Sequence, residues 1–175
     1  MNDQVILVDA ADRAIGTADK LAAHRRNQRH RAISILIFDH AGRMLLQRRS
    51  AAKYHSAGQW SNACCSHPRV GETTQAAAER RLRDELGIST VLTFAGLATY
   101  QAAVGEGMFE NEVVHVFTGR HDGPVAANPD EVQAVMWRDI GEIRADMKAN
   151  PGRYTEWFKL YADEDWFADT RARVD

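Results

Sequence analysis

The sequence has 175 residues, of which 45% are hydrophobic and 26% are charged, so its size and composition are those of one globular domain. A chain of this length buries about 70% of its unfolded surface, so it needs no disulfide or metal to form a core. The 22 Lys and Arg residues nearly balance the 24 Asp and Glu residues. That balance leaves no broad positive field for nucleic acid or an anionic membrane. We therefore expect a single domain over residues 1–175 that binds neither, and a monomer, although an oligomer stays open.

The two cysteines, Cys64 and Cys65, are adjacent. A disulfide between neighbouring residues is heavily strained, which predicts two free thiols. The N-terminus lacks the basic start and apolar stretch of a secretory signal, and no apolar run approaches the roughly 18–20 residues that span a bilayer. These features together predict a cytoplasmic protein.

In chain order, the first predicted elements are two hairpins. Apolar residues on either side of a polar turn predict a small hairpin over about residues 4–18. Apolar-rich segments over residues 32–38 and 43–48, separated by the turn-forming Asp39-His40-Ala41-Gly42, predict the second hairpin.

The strongest predicted helix covers residues 74–86, where Ala78, Leu82 and Leu86 recur at a spacing of four and Gly87 occupies a cap position. Strands are predicted over 91–99, 113–117 and 132–137. Helices over 140–147 and from 154 to about 165 give a helical C-terminus over about residues 140–166. This order predicts an α/β (α+β) fold in which helices flank one mixed sheet.

Two short motifs place reactive side chains two residues apart. Cys65 and His67 share one side of an extended segment, and Glu110 and Glu112 do the same just before a predicted strand. Each motif alone has an ordinary structural explanation, since a lone cysteine is usually a core filler and Glu-Asn-Glu is usually an exposed strand end. Pairing of the two faces would bring a thiol, an imidazole and two carboxylates into one pocket.

Two further histidines, His24 and His30, lie in a polar segment without apolar periodicity. Taken alone, they are more often solvated side chains than ligands. Three imidazoles together with two carboxylates favour Zn²⁺ or Mn²⁺ over Mg²⁺, because nitrogen ligands prefer softer ions.

In combination, these motifs resemble the type I isopentenyl-diphosphate delta-isomerases, which are members of the Nudix superfamily. The resemblance covers about residues 5–157. Its most specific parts are Asn62-Ala63-Cys64-Cys65-Ser66-His67-Pro68, Gly71-Glu72 and Glu110-Asn111-Glu112.

The segment 66–87 looks like a degenerate form of the motif Gly-x5-Glu-x7-Arg-Glu-x2-Glu-Glu-x-Gly, in which Nudix hydrolases hold Mg²⁺ on acidic residues. Placed on that motif, the chain has Ser66 for the first Gly, Arg81 for a Glu, and retains Glu72, Arg80, Asp84 and Glu85. An arginine in place of a metal-binding carboxylate suits holding a diphosphate better than cleaving it. Without the resemblance, Arg81 and Glu85 are an i,i+4 pair that would by default be a surface salt bridge.

The resemblance implies an isomerase that interconverts isopentenyl and dimethylallyl diphosphate through a tertiary carbocation. It implies Cys65 and Glu112 as the catalytic pair, Tyr100 as the residue that orients the carboxyl, and Trp157 as the aromatic wall that faces the cation. It also implies a site for a divalent ion, Zn²⁺, Mn²⁺ or Mg²⁺, and a Mg²⁺ that bridges Glu85 and the substrate. The implied ligands of the first ion are His24, His30, His67, Glu110 and Glu112, and the implied diphosphate contacts are Lys20, Arg49, Lys53 and Arg81.

Two alternatives stay open at this stage: a Nudix pyrophosphohydrolase of a nucleoside or prenyl diphosphate, and a binding module without catalysis. Cys64 is interpreted as structural, because it faces the opposite side from Cys65. The remaining histidines match no ligand and are interpreted as structural or solvated; they are His40, His55, His115 and His121.

Overall fold

A nine-stranded mixed sheet forms the centre of the fold within residues 3–164, the part of the chain that the computed structural model describes. The strands are β1 (Gln4–Val8), β2 (Ala14–Asp19), β3 (His30–Phe38), β4 (Met44–Arg49), β5 (Trp60–Asn62), β6 (Cys64–Ser66), β7 (Leu92–Gly105), β8 (Met108–Arg120) and β9 (Val132–Arg138). The helices are α1 (Lys20–Arg25), α2 (Thr74–Leu86), α3 (Ile140–Ala149) and α4 (Glu156–Asp163), with a 3-10 turn at Pro151–Arg153.

Strand β3 separates two hydrophobic cores, because successive side chains of a strand point to opposite faces. Ala32, Leu36 and Phe38 pack on one face with residues of α3 and α4. Ile33, Ile35 and Ile37 pack on the other face with residues of α2. The predicted mixed sheet flanked by helices is therefore confirmed.

The neighbours of β3 bring together motifs that are distant in sequence. Strand β8 pairs with it in parallel, from His30 opposite Glu112 onward, and β6 pairs with it antiparallel, with Ser34 opposite Cys65. Strand β7 then continues the sheet beyond β8, with Tyr100 opposite Glu112. Because β6 and β8 occupy the two edges of β3, Cys65 and Glu112 approach the same region from opposite sides.

Helix α2 has the predicted bounds. Its N-cap Thr73 accepts a hydrogen bond from the backbone N–H of Ala76, and Gly87 ends the helix in the left-handed conformation at φ 66°. Helix α3 begins at the predicted residue and ends two residues later than predicted. The last helix begins at Glu156 rather than at 154, and its predicted end near 165–166 lies outside the described residues.

Several predicted boundaries are wrong because pairing between distant strands decides them. Strands β3 and β4 are joined by the predicted turn, but only Phe38 and Met44 pair, since β3 continues along β8 and β4 along β9. The Glu-Asn-Glu motif lies within β8, which begins at Met108, rather than before a strand. Strand β7 extends to Gly105, beyond the predicted residue 99. No helix in the described range 3–164 has the length and apolar character needed to cross a membrane.

Candidate active site

A pocket of about 700 Å³ opens beside β6 and β8 and is lined by acidic, basic, aromatic and sulfur-bearing side chains. The predicted site residues that line it are Lys20, Arg49, Lys53, Cys65, His67, Arg81, Glu85, Tyr100, Glu110, Glu112 and Trp157. The two other predicted residues, His24 and His30, are fully buried behind it, against its carboxylates. The fold thus brings the whole predicted set to one place.

Five side chains at the floor of the pocket and directly behind it form a cluster of potential metal ligands, and four parts of the fold supply them. Helix α1 contributes His24, the start of β3 contributes His30, and the residue after β6 is His67, while β8 contributes Glu110 and Glu112. One ligand atom from each lies within 4.8 Å of all the others.

The spacing of these atoms fits a shared divalent ion. The Nε2 atom of His67 lies 2.9 Å from Oε1 of Glu112 and 3.1 Å from Nε2 of His30. The Nε2 atom of His24 lies 3.4 Å from Oε2 of Glu110, and both atoms are buried without a hydrogen-bond partner. Ligands that surround one Zn²⁺ at about 2.0–2.2 Å are roughly 3.0–3.5 Å apart. A bound cation would therefore fit among these nitrogen and carboxylate donors, and it would give the two unpartnered atoms a partner.

Burial sets the protonation of this cluster. It lowers the pKa of His24 to about 3 and that of His67 to about 4, so both imidazoles are neutral and able to ligate. Burial and the neighbouring Glu112 raise the pKa of Glu110 well above its usual range. Burial also opposes ionisation of Glu112, but His30 and His67 outweigh it and hold the pKa of Glu112 low. Two adjacent buried carboxylates are stable as anions only beside a compensating charge, which a divalent ion supplies.

The Cys65 thiol is held by a buried polar network. Its Sγ donates to Oδ1 of Asn62 at 3.1 Å and lies 3.5 Å from Oγ of Ser34. The amide nitrogen of Asn62 donates to the same Ser34 oxygen at 3.0 Å. Burial raises the pKa of Cys65 to about 12, so its thiol keeps its proton. Cys64 is fully buried in the core beneath α2, as the sequence predicts.

The two oxygens of Glu112 have different neighbours. Oε1 faces His30 and His67, whereas Oε2 accepts a hydrogen bond of 2.5 Å from the hydroxyl of Tyr100. One oxygen of Glu112 therefore belongs to the cluster of potential metal ligands, and the other faces Tyr100 at the pocket wall.

Trp157 closes the pocket on the side of α4. Its indole nitrogen donates to Oγ of Ser61 at 2.9 Å, and the side chain is almost fully buried. The guanidinium of Arg49 lies over its ring at 5.2 Å from the centroid. An aromatic face that already accommodates a cation can stabilise positive charge in a dry pocket.

The basic end of the pocket is neutralised by acidic partners. The Nη2 atom of Arg81 donates to Oε1 of Glu85 at 2.5 Å and to Glu131 at 3.2 Å, and Lys53 also pairs with Glu131. The other oxygen of Glu85 accepts from Gln47 at 2.9 Å. Glu85 is buried, so the default expectation of a surface pair with Arg81 is wrong. Glu131 has no counterpart among the sequence predictions, because only folding brings the start of β9 beside α2.

The other acidic residues of the degenerate motif are engaged elsewhere. Glu72 accepts two hydrogen bonds from Arg80, at 2.7 and 2.8 Å, which fasten the preceding loop to α2. Asp84 lies 3.8 Å from Arg80, and its side chain is 45% exposed.

Of the four unassigned histidines, His55 is the one that reaches the site. It is buried, and its Nε2 lies 3.1 Å from Oε1 of Glu110, so it is not solvated. His40 pairs with Asp122 at the surface, His121 contacts the carbonyl of Pro124, and His115 contacts Asp12 and Thr74. The signal that could have identified His55 is its position in Lys53-Tyr54-His55, next to a predicted diphosphate contact.

Comparison with known proteins first defines the class. A model of the NUDIX domain matches residues 28–158. The structure of DR0079 from Deinococcus radiodurans superposes with a TM-score of 0.77 at 17% identity, covering 91% of this chain and 96% of that one. A MutT NUDIX hydrolase from Burkholderia pseudomallei gives a TM-score of 0.61 at 21% identity, covering 79% and 98% of the two chains. The chain therefore belongs to the Nudix family, and these two structures support the fold alone.

Curated relatives define the narrower family. The chain is 51% identical to Isopentenyl-diphosphate Delta-isomerase 1 of Aromatoleum aromaticum, over 93% of this chain and 92% of that protein. It is 47% identical to the Isopentenyl-diphosphate Delta-isomerase of Serratia proteamaculans, over 90% and 88%. The chain belongs to the isopentenyl-diphosphate Delta-isomerase family, and it is an isomerase.

Proposed function

We propose that the pocket interconverts isopentenyl diphosphate and dimethylallyl diphosphate by proton addition and proton removal, with Cys65 and Glu112 as the two proton-transfer groups. One observation carries the proposal. The protonated thiol of Cys65 and the carboxylate of Glu112, a member of the cluster of potential metal ligands, enter one pocket from opposite edges of β3. Two groups on opposite sides of a flat alkene can deliver a proton at one carbon and remove one at another.

The substrate gains one proton and loses another, and proton exchange with solvent returns the two protein groups to their starting protonation states. One of the two groups donates a proton to the terminal carbon of the double bond, which leaves a tertiary carbocation. The other removes a proton from the carbon on the far side of the cation, and those electrons form the new double bond. General acid and base groups must lie within reach of the carbons they serve. Tyr100 orients Glu112 for its step by its hydrogen bond to Oε2.

The walls of the pocket suit a cation that must not be captured by water. Trp157 presents an aromatic surface, and a desolvated cation–π contact contributes roughly 2 kcal/mol or more. Exclusion of water protects the carbocation from capture by a water molecule. Arg49 lies over the same ring that would face the carbocation. We infer that the diphosphate draws Arg49 toward its oxygens when the substrate enters, which frees the ring.

The diphosphate end of the substrate would contact Lys20, Arg49, Lys53 and Arg81. Arginine forks suit bidentate contacts with phosphate oxygens. Glu85 would share a Mg²⁺ with those oxygens, which fits an ion usually held by one or two carboxylates and substrate phosphates. Since Arg81 bonds to Glu85 and Glu131 in the structure, substrate binding would exchange these carboxylates for phosphate oxygens.

The cluster of His24, His30, His67, Glu110 and Glu112 would hold Zn²⁺, Mn²⁺ or Mg²⁺. When bound, the ion supplies positive charge that keeps both carboxylates ionised and fixed in position. The donor set favours Zn²⁺ or Mn²⁺, because three of its five members are imidazoles.

The test is incubation with isopentenyl diphosphate and Mg²⁺ in deuterium oxide, followed by NMR with a parallel phosphate assay. Deuterated dimethylallyl diphosphate without phosphate is the expected result, and Glu112→Gln should give none. Phosphate release would favour a pyrophosphohydrolase, and unchanged substrate with a metal-loaded protein would favour a binding module.

A further inference from the structure

The loop of residues 50–59, between β4 and β5, covers the metal cluster and carries three consecutive polar side chains. Lys53 lies at the basic end of the pocket, beside Glu131. Tyr54 and His55 contact two different members of the cluster, one on α1 and one on β8. Neither residue belongs to the five-member ligand set.

Tyr54 contacts the side of His24 that faces away from the cluster. Its hydroxyl lies 3.0 Å from Nδ1 of His24, and the two rings stack with centroids 6.0 Å apart. The Nε2 atom of His24 faces the cluster without a partner. When Nε2 ligates, Nδ1 carries the proton and donates it to the Tyr54 oxygen. The ligand His30 is held in the same way, since its Nδ1 bonds to the carbonyl of Gln28 at 2.8 Å.

His55 contacts the outer oxygen of Glu110. Its Nε2 lies 3.1 Å from Oε1, whereas Oε2 faces His24 at 3.4 Å. The other ring nitrogen lies 3.2 Å from Oγ of Ser56, a non-glycine residue at φ 51°. A hydroxyl that donates to Nδ1 leaves the proton on Nε2, where it faces the carboxylate. A residue held in the left-handed region marks a loop conformation that its surroundings enforce.

We propose that Tyr54 and His55 are positioning residues of the metal centre, which fix the imidazole of His24 and the carboxylate of Glu110 from outside. This inference rests on the proposed metal-dependent function. Groups that hold the far side of a metal ligand set its tautomer and its orientation. Because Lys53 immediately precedes them, one loop serves both the diphosphate end of the pocket and the metal centre.

The test measures metal affinity without substrate, in the full chain loaded with Co²⁺ and titrated with a competing chelator while the Co²⁺ absorption is followed. Tyr54→Phe removes only the hydroxyl. His55→Phe keeps a ring against Trp157, which it meets edge-on at 5.8 Å, but loses the N–H. His55→Gln keeps an N–H donor and loses the ring. Loss of an outer partner typically weakens metal binding by roughly 10–100-fold, which we expect for both Phe variants, with partial recovery in His55→Gln.

Tyr154→Phe is the matched control, because its hydroxyl donates to Asp146 at 2.6 Å outside the pocket. It should leave Co²⁺ affinity unchanged. Wild-type affinity in Tyr54→Phe and His55→Phe would overturn the inference while leaving the metal centre intact. A wild-type chain that binds no Co²⁺ would overturn the metal centre itself, and the inference with it. If His55→Phe does not fold, Tyr54→Phe decides the outcome, because its ring is partly exposed and only an oxygen is removed.

Discussion

The hydrogen bond from Tyr100 to Glu112 allows a quantitative prediction. At 2.5 Å, it is a short bond to the buried carboxylate of Glu112, and bonds to charged groups contribute about 1.5–3 kcal/mol. Tyr100→Phe removes the donor hydroxyl, so Oε2 of Glu112 loses this hydrogen bond. Each 1.36 kcal/mol of lost transition-state stabilisation is a factor of ten in rate, so kcat should fall roughly 10–150-fold.

The same variant should leave KM nearly unchanged, because the proposed diphosphate contacts belong to Lys20, Arg49, Lys53 and Arg81. Steady-state kinetics with isopentenyl diphosphate separate the two constants.

Tyr154→Phe is again the matched control, since it deletes a comparable hydroxyl-to-carboxylate bond of 2.6 Å to Asp146. It should lower the thermal unfolding midpoint and leave kcat intact. An unchanged kcat in Tyr100→Phe, or equal losses in both variants, would refute the role assigned to Tyr100.

Two further predictions concern the thiols and a salt bridge. Cys65→Ala should abolish deuterium incorporation, whereas Cys64→Ala should keep most activity. Cys64→Ala should also lose about 1 kcal/mol of stability, the cost of one buried group of methyl size. Equal losses of activity in the two variants would contradict the division of roles between the two thiols. The hydrogen bonds from Arg80 hold the pKa of Glu72 below its ordinary value of 4.5. The stability that these bonds contribute is therefore fully present above pH 4.5, and it is lost as the pH falls through the lowered pKa of Glu72. The difference in unfolding midpoint between wild type and Glu72→Gln should therefore narrow in acid, and a constant difference down to about pH 3 would show that the pair does not titrate as described.

Local signals in the sequence predict the elements whose boundaries depend on nearby residues. The bounds of α2 follow from the apolar spacing of Ala78, Leu82 and Leu86 and from Gly87, because a helix closes its hydrogen bonds within its own segment. The alternation along Cys64 and Cys65 also holds, with one thiol in the core and the other in the pocket.

The features that local patterns cannot predict depend on contacts across the sheet. The parallel pairing of β3 with β8 joins residues some eighty positions apart, and it alone places His30 opposite Glu112. The sequence places His55 next to the predicted contact Lys53, but the burial of His55 depends on how residues 50–59 fold over the cluster. The motif resemblance pointed to the five clustered side chains, whereas the contacts that surround them became visible only in three dimensions.

The placement of charge explains how a Nudix fold can support an isomerase. In the hydrolase motif, acidic residues of the helix hold the metal ions, but here Arg81 occupies one of those positions and bonds to Glu85 and Glu131. The clustered donors lie instead on α1, β3 and β8 and just after β6. The helix thereby becomes the basic end of the pocket and suits an intact diphosphate. In the proposed function, the acid and base roles would fall to Cys65 and Glu112, which lie on the strands at the two edges of β3. The hydrocarbon end of the substrate would lie between them.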